Sequence, residues 1–192
     1  MLGSSQTGQI NASAAKHHHT VFQRLSKCES GMKAHRAGAH EIDAVHSMAS
    51  NYIPGLASTA QIKSMQKRDP DSIWVFEQNG NLKGGIGLLM LNQAGVNALM
   101  GGDFDLSAPQ LPFLAAPGER PTAIYLWALL ARGTAILGLL NLNQQAKVGR
   151  LSGADLLATS RTLGGARAMR MFGFSPAAAN PTIGIMSRRE LV

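Results

Sequence analysis

Between Ala123 and Phe174 the chain twice follows a short apolar run with a helix-like stretch, an order that a sheet with packed helices accommodates. Ala123-Ile-Tyr-Leu-Trp-Ala-Leu-Leu-Ala131 carries no charge, is rich in aromatic and branched side chains, and is bounded by Pro121 and Gly133. It is too short to span a bilayer and reads as a strand buried on both faces. Arg132 to Gly138 then turns the chain into the uncharged run from Leu139 to Ala146, which predicts a helix capped by Thr134. Ala154 to Ala158 predicts a second buried strand. Thr159 or Ser160 is placed to cap a helix whose apolar positions are Leu163, Ala166, Met169 and Phe172, with Gly173 as its stop. A strand that enters a helix through glycine presents unpaired N–H groups and the positive end of a helix dipole, which suits a phosphate. The same turn also serves simply to reverse the chain.

Upstream, Asn79-Gly80 is suited to a tight turn between Ile73 to Gln78 and Leu82 to Leu91. From Leu91 to Thr122 runs a long connection with Gly101-Gly102, Asp103, Asp105 and four prolines. A loop of this length reads either as a lid over a site or as a surface excursion with a short helix at Ala94 to Met100. A last strand is expected near Thr182 to Ser187.

This order of parts resembles the GNAT superfamily of acyl-CoA-dependent N-acyltransferases. In that family the helix after the fourth strand opens with Arg or Gln followed by two small residues, and the last helix ends in Gly-Phe. Here Arg132 and Gly173-Phe174 match, while Ala135 and Leu137 stand at the two small positions. Gly31 to Arg36 and the helical stretch His40 to Ser50 look like the family's first strand and first helix, and Ile73 to Gln78 and Leu82 to Leu91 like its second and third strands, so the resemblance covers roughly residues 31–190. It implies a mixed α/β (α+β) fold: a mostly antiparallel sheet of six or seven strands with about four helices on its two faces. A doubly wound nucleotide-binding sheet is the alternative that the same strands allow.

The resemblance further implies acetyl-CoA, or another acyl-CoA, as cofactor and an amine on a small molecule or peptide as acceptor. Pantetheine would pair with Ala128, Leu129 and Leu130. The diphosphate would meet Arg132 and the main-chain amides of Gly133, Thr134, Ala135, Ile136 and Leu137, although the Leu137 side chain could obstruct its approach. Acyl transfer needs a neutral amine, an oxyanion donor and an acid for the departing thiolate. The family's tyrosine acid falls on Met169, which has no proton to give. Glu119 is the candidate base, and Tyr125 and Ser160 are candidate acids. Each also has a structural role open to it, as loop charge, core aromatic and helix cap respectively. A second function class follows from Met169 and Leu137: an inert GNAT-like domain that binds an anionic partner.

Charge bears on that second class. The 192 residues carry a net +7. Near the C-terminus Lys147, Arg150, Arg161, Arg167, Arg170, Arg188 and Arg189 face only Asp155 and Glu190, a field that draws anions. Aromatic residues make up 5% of the chain and do not interleave with the basic ones, which argues against a nucleic-acid stacking platform. The lone Cys28 forms no internal disulfide, so a cytoplasmic setting is expected, and no apolar run is long enough for a membrane span. His17-His18-His19 lacks the spacing that places ligands on one helix face, and no metal site is assigned. Residues 1–30 read as a basic N-terminal extension and 31–192 as one domain, 45% of the chain being hydrophobic. The oligomeric state, a homodimer included, is left open.

Overall fold

The structure, a computed structural model, describes residues 31–145, 149–160 and 162–187. Seven strands form one sheet in the order β1-β2-β3-β4-β5-β7-β6. They are β1 (Met32–Arg36), β2 (Ile73–Gln78), β3 (Asn81–Leu91), β4 (Ala123–Ala131), β5 (Asp155–Thr159), β6 (Ser175–Pro176) and β7 (Ile183–Met186). All neighbours are antiparallel except β4 and β5, which run parallel. Among the described residues there are five α-helices: α1 (Ala39–Ser50), α2 (Thr59–Arg68), α3 (Gln93–Gly101), α4 (Ile136–Gln145) and α5 (Leu163–Met171). None of them is long and apolar enough to cross a membrane.

Strand alternation divides the core between the two faces of the sheet. On one face Met32, Phe76, Ile86, Leu88 and Ile124 pack with Leu142 of α4. On the other, Val75 and Ile73 meet Ile42 of α1 and Ile62 of α2, while Leu89, Leu91 and Tyr125 meet Leu99 of α3. The β2–β3 hairpin turns as expected, with positive φ at both Asn79 (54°) and Gly80 (77°). The helix suggested within the long connection is present as α3, capped by the Asn92 side chain on the Gly95 amide at 2.8 Å.

That connection is held down on the sheet. Asn92 donates to the Pro112 carbonyl at 2.8 Å, Ala115 N–H to Met90 at 2.8 Å, and the Trp127 indole to the Leu106 carbonyl at 2.7 Å. Phe104 and Phe113 stack with ring centres 5.7 Å apart. These anchors make it a packed wall beside β4, with α3 inside it.

Several local expectations are corrected. Thr134 does not cap α4: it lies inside a 3₁₀ turn (Gly133–Ala135) that leads into the helix, and its hydroxyl faces Gln78. The cap of α5 is Thr162, whose hydroxyl accepts from Gly165 N–H at 3.0 Å; Thr159 belongs to β5 and Ser160 to the turn between them. Leu163 is 82% exposed, so the three-residue apolar spacing does not mark the buried face of α5. Met169 does pack on the sheet, in the space a side chain at Gly184 would need. The Gly173 stop is present, with φ of 87° and Phe174 N–H returning to the Met169 carbonyl at 3.0 Å.

Residues 51–72 held two features that apolar periodicity does not reveal. One is α2, opened by a reciprocal cap between Ser58 and Gln61. The other is a cluster in which Arg150 meets both Asp69 and Asp71, its Nε lying 2.9 Å from Asp71, while Arg36 Nε reaches Asp71 at 2.7 Å. Burial works against the Arg150 charge, but its hydrogen bonds to the two aspartates win and hold its pKa above the ordinary value. Arg150 is thus matched locally, which removes one member of the expected basic field. Lys147, Arg161, Arg188 and Arg189 lie outside the described residues, as do Glu190, Cys28, His17-His18-His19 and the whole 1–30 extension.

Candidate functional site: a fork between β4 and β5

The parallel ladder begins at Ala123 beside Asp155 and ends at Leu126 beside Ala158. On its other side β4 stays paired with β3 as far as Ala131 beside Gly84. Beyond Leu126, therefore, β4 runs on from Trp127 to Ala131 along β3, with no ladder to β5. The cause lies in β4 itself. Gly87 faces Ala128 and Leu88 faces Leu126, leaving Trp127 as an extra residue, a bulge that bends and twists the strand.

Burial records the same break. Ala123, Ile124 and Tyr125 are buried, whereas Leu126 to Leu129 are half-buried. The strand expected to be buried on both faces is so up to the fork, and beyond it only Leu130 is buried. A bare strand edge with unpaired amides and carbonyls is a template for an extended, amide-bearing ligand.

The sequence-predicted residues fall into place around this fork unequally. Ala128, Leu129 and Leu130 lie on the open stretch of β4. Arg132, Gly133 and Thr134 follow it as exposed residues of the turn. Gly133 has φ of 56°, a conformation that favours glycine, and the space where its side chain would stand is empty. Of the turn amides, Ala135 N–H donates to the Arg132 carbonyl at 3.0 Å and Ile136 N–H turns to the Thr134 carbonyl. Gly133 and Thr134 precede that first bond, where helix geometry supplies no acceptor. Of the expected five-amide cradle, Ala135 and Ile136 are thus engaged by the turn itself. Leu137 does not block Gly133 and Thr134, because its side chain packs into the core cluster around Phe76 and Leu142.

Tyr125 and Ser160 are both at the vertex of the fork. The Tyr125 hydroxyl, on a residue only 2% exposed, hydrogen-bonds Thr159 Oγ1 at 2.6 Å and ties the last turn of the ladder together. Ser160 donates to the Thr162 carbonyl at 2.6 Å and shapes the turn into α5. Tyr125→Phe is expected to cost about 1 kcal/mol in urea unfolding, the usual worth of one such bond. Glu119 is elsewhere. It sits before the start of β4, bonded to the Ala116 amide at 3.3 Å, with the paired length of the strand, roughly 13 Å for four residues, separating it from the fork.

Two features had no clear signal in the sequence. The Arg132 guanidinium lies over the Tyr52 ring, 4.4 Å from its centre, which fixes the first residue of the turn against the end of α1. Beneath α1 a cavity of about 40 Å3 opens against the sheet, lined by Val45, His46, Gly85, Gly87, Trp127 and Leu130 among others. Among the described residues His46 is the sole ionisable side chain on its wall, held by the Ala57 carbonyl at 3.1 Å. Gly85 and Gly87 create room by lacking side chains, and the Trp127 ring lies beside Gly87.

A mostly antiparallel seven-stranded sheet, one parallel pair forked at a bulge, and helices divided between the faces define a GNAT-like fold. No family model matches the chain, and no curated protein does. Solved structures similar to it include Ard1 from Thermoplasma volcanium, at 13% identity and a TM-score of 0.49 over 81% of this chain and 95% of that one. An N-acetyltransferase from Staphylococcus aureus Mu50 gives 14% identity and a TM-score of 0.48, with coverage of 81% and 95%. The aminoglycoside N-acetyltransferase AAC(6')-Ib11 gives 10% and 0.44, with coverage of 84% and 99%.

Proposed function

We propose that this protein is an acyl-CoA-dependent N-acyltransferase, using acetyl-CoA or a close homologue, with its coenzyme in the β4–β5 fork. The observation that carries the reading is the stretch Trp127 to Ala131, which keeps its ladder to β3 and has none to β5. Acyl-CoA supplies an activated acyl thioester. The open edge of β4 suits pantetheine, whose two amides can pair with it as a short added strand. At the head of α4, the Gly133 and Thr134 amides, the helix dipole and the Arg132 guanidinium suit the diphosphate.

The remaining chemistry falls to groups at the vertex. A bulged residue leaves main-chain groups outside the ladder, and those at Trp127 can polarise a carbonyl seated there. The Tyr125 hydroxyl is the phenol nearest the vertex and can pass a proton to a thiolate through Thr159, with Ser160 as a second hydroxyl. Water can take the proton lost by the attacking amine, so positioning contributes most of the rate. Met169 gives no proton, and its packing on Gly184 makes it a filler where the family has an acid. The apolar cavity beneath α1 favours an acceptor, or an acyl group, that presents hydrocarbon to the sheet. A cytoplasmic location suits such an activity.

Calorimetry with acetyl-CoA and with CoA tests the reading, expected to give one site per chain. Arg132→Glu combined with Thr134→Glu places two like charges at the diphosphate seat on exposed residues. It is expected to weaken CoA at least about tenfold, and pantetheine, which lacks the diphosphate, hardly at all. No binding of either coenzyme at millimolar concentration would remove the proposal.

A further inference from the structure

On the α1 side of the sheet, away from the fork, three metal-ligating side chains converge from three separate elements. In the β1–β2 register, Lys33 faces Glu77 and His35 faces Val75, which puts His35 and Glu77 on one face two residues apart. Glu41 enters from the first turn of α1. One donor atom from each of His35, Glu41 and Glu77 lies within 4.8 Å of the others, and His35 Nε2 is 2.9 Å from Glu41 Oε1. We propose that these residues form a zinc site that staples the edge strand to its neighbour and to the head of α1.

The ligand set and the local charge both point to a divalent cation. One imidazole nitrogen with two carboxylate oxygens is a donor set suited to Zn2+ and leaves a fourth position for water. In a tetrahedral site such donors stand about 3.4 Å apart, a value inside the span present here. The other Glu41 oxygen accepts the Gly38 amide at 2.7 Å, the outer support that orients a ligating carboxylate. Glu77 is half-buried, and among the described residues neither Lys33 nor any other cation forms an ion pair with it. Two carboxylates face one imidazole here, and a metal ion supplies the matching charge. On binding, His35 offers Nε2 as a neutral donor with its proton on Nδ1.

Thermal unfolding of the full chain with Zn2+ tests this, in a background where His17, His18 and His19 are replaced by Ala so that the extension contributes no ligands. Zn2+ at a hundredfold excess over its dissociation constant is expected to raise the midpoint by about 5 °C, with one ion per chain by calorimetry and no rise with Mg2+. Both Glu77→Gln and His35→Ala are expected to abolish the rise. Glu77→Gln removes only a carboxylate that has no cation partner, so it should fold as the parent does. An absent rise, an equal rise with Mg2+, or a rise that survives Glu77→Gln or His35→Ala overturns the proposal.

Discussion

Gly138→Val is expected to destabilise the protein by about 3 kcal/mol and to weaken coenzyme binding at the same time. Gly138 is the point where α4 lies directly on β2. A side-chain carbon added there would overlap the Cγ and Cδ1 of Phe76 and stand 2.9 Å from its Cβ. Phe76 is 0% exposed, walled in by the rest of the core, so the ring has nowhere to go. Glycine in a helix costs about 1 kcal/mol relative to alanine, so the close approach must outweigh that penalty. Valine adds branched methyls to the overlap, and α4 must lift. Because the turn from Arg132 to Ala135 sits at the head of that helix, its amides would move with it. Urea unfolding reads the first effect, and calorimetry with CoA on the folded variant reads the second. A stability within about 0.5 kcal/mol of the parent would show that the contact is looser than described.

Arg150→Ala is expected to cost a similar amount, about 3 kcal/mol, from a different cause. Asp69 and Asp71 are 6% and 8% exposed, and Arg150 is the residue that reaches both. Among the described residues, removing it leaves Asp69 as a buried charge without a cationic partner and Asp71 with Arg36 alone. Arg36 offers an internal comparison, since its side chain is 60% exposed and rests partly on the Trp74 ring, 5.6 Å from its centre. Arg36→Ala is expected to cost under about 1 kcal/mol, as for a pair screened by solvent. Equal losses from the two variants would mean that burial does not set the strength of this network. The network joins the segment before β2 to the one before β5, so its loss should loosen the end of the sheet opposite the fork.

Much of the fold is legible in the chain because it is written in local chemistry. Short apolar runs mark β2 and β3, Asn79-Gly80 marks their turn, and Gly173 before Phe174 marks the end of α5. Each of these depends on residues a few positions apart. The caps were less legible, since Thr134, Thr159, Ser160 and Thr162 are all competent and only the path of the backbone chooses among them. Leu163 misled because the apolar spacing of a short helix says nothing about whether a partner lies opposite.

The candidate site divides along the same line. The sequence by itself determined that an apolar strand feeds through Arg132-Gly133 into a helix, because that needs only composition and turn chemistry. Three things waited for the tertiary structure: the bulge at Trp127, the ladder that stops at Leu126, and the engagement of the Ala135 and Ile136 amides within the turn. So did the meeting of Asp69 and Asp71 with Arg150 and of His35 with Glu41 and Glu77. Register and close approach are properties of pairs of strands far apart in the chain. A one-residue offset between β3 and β4 changes them without altering the pattern of either strand.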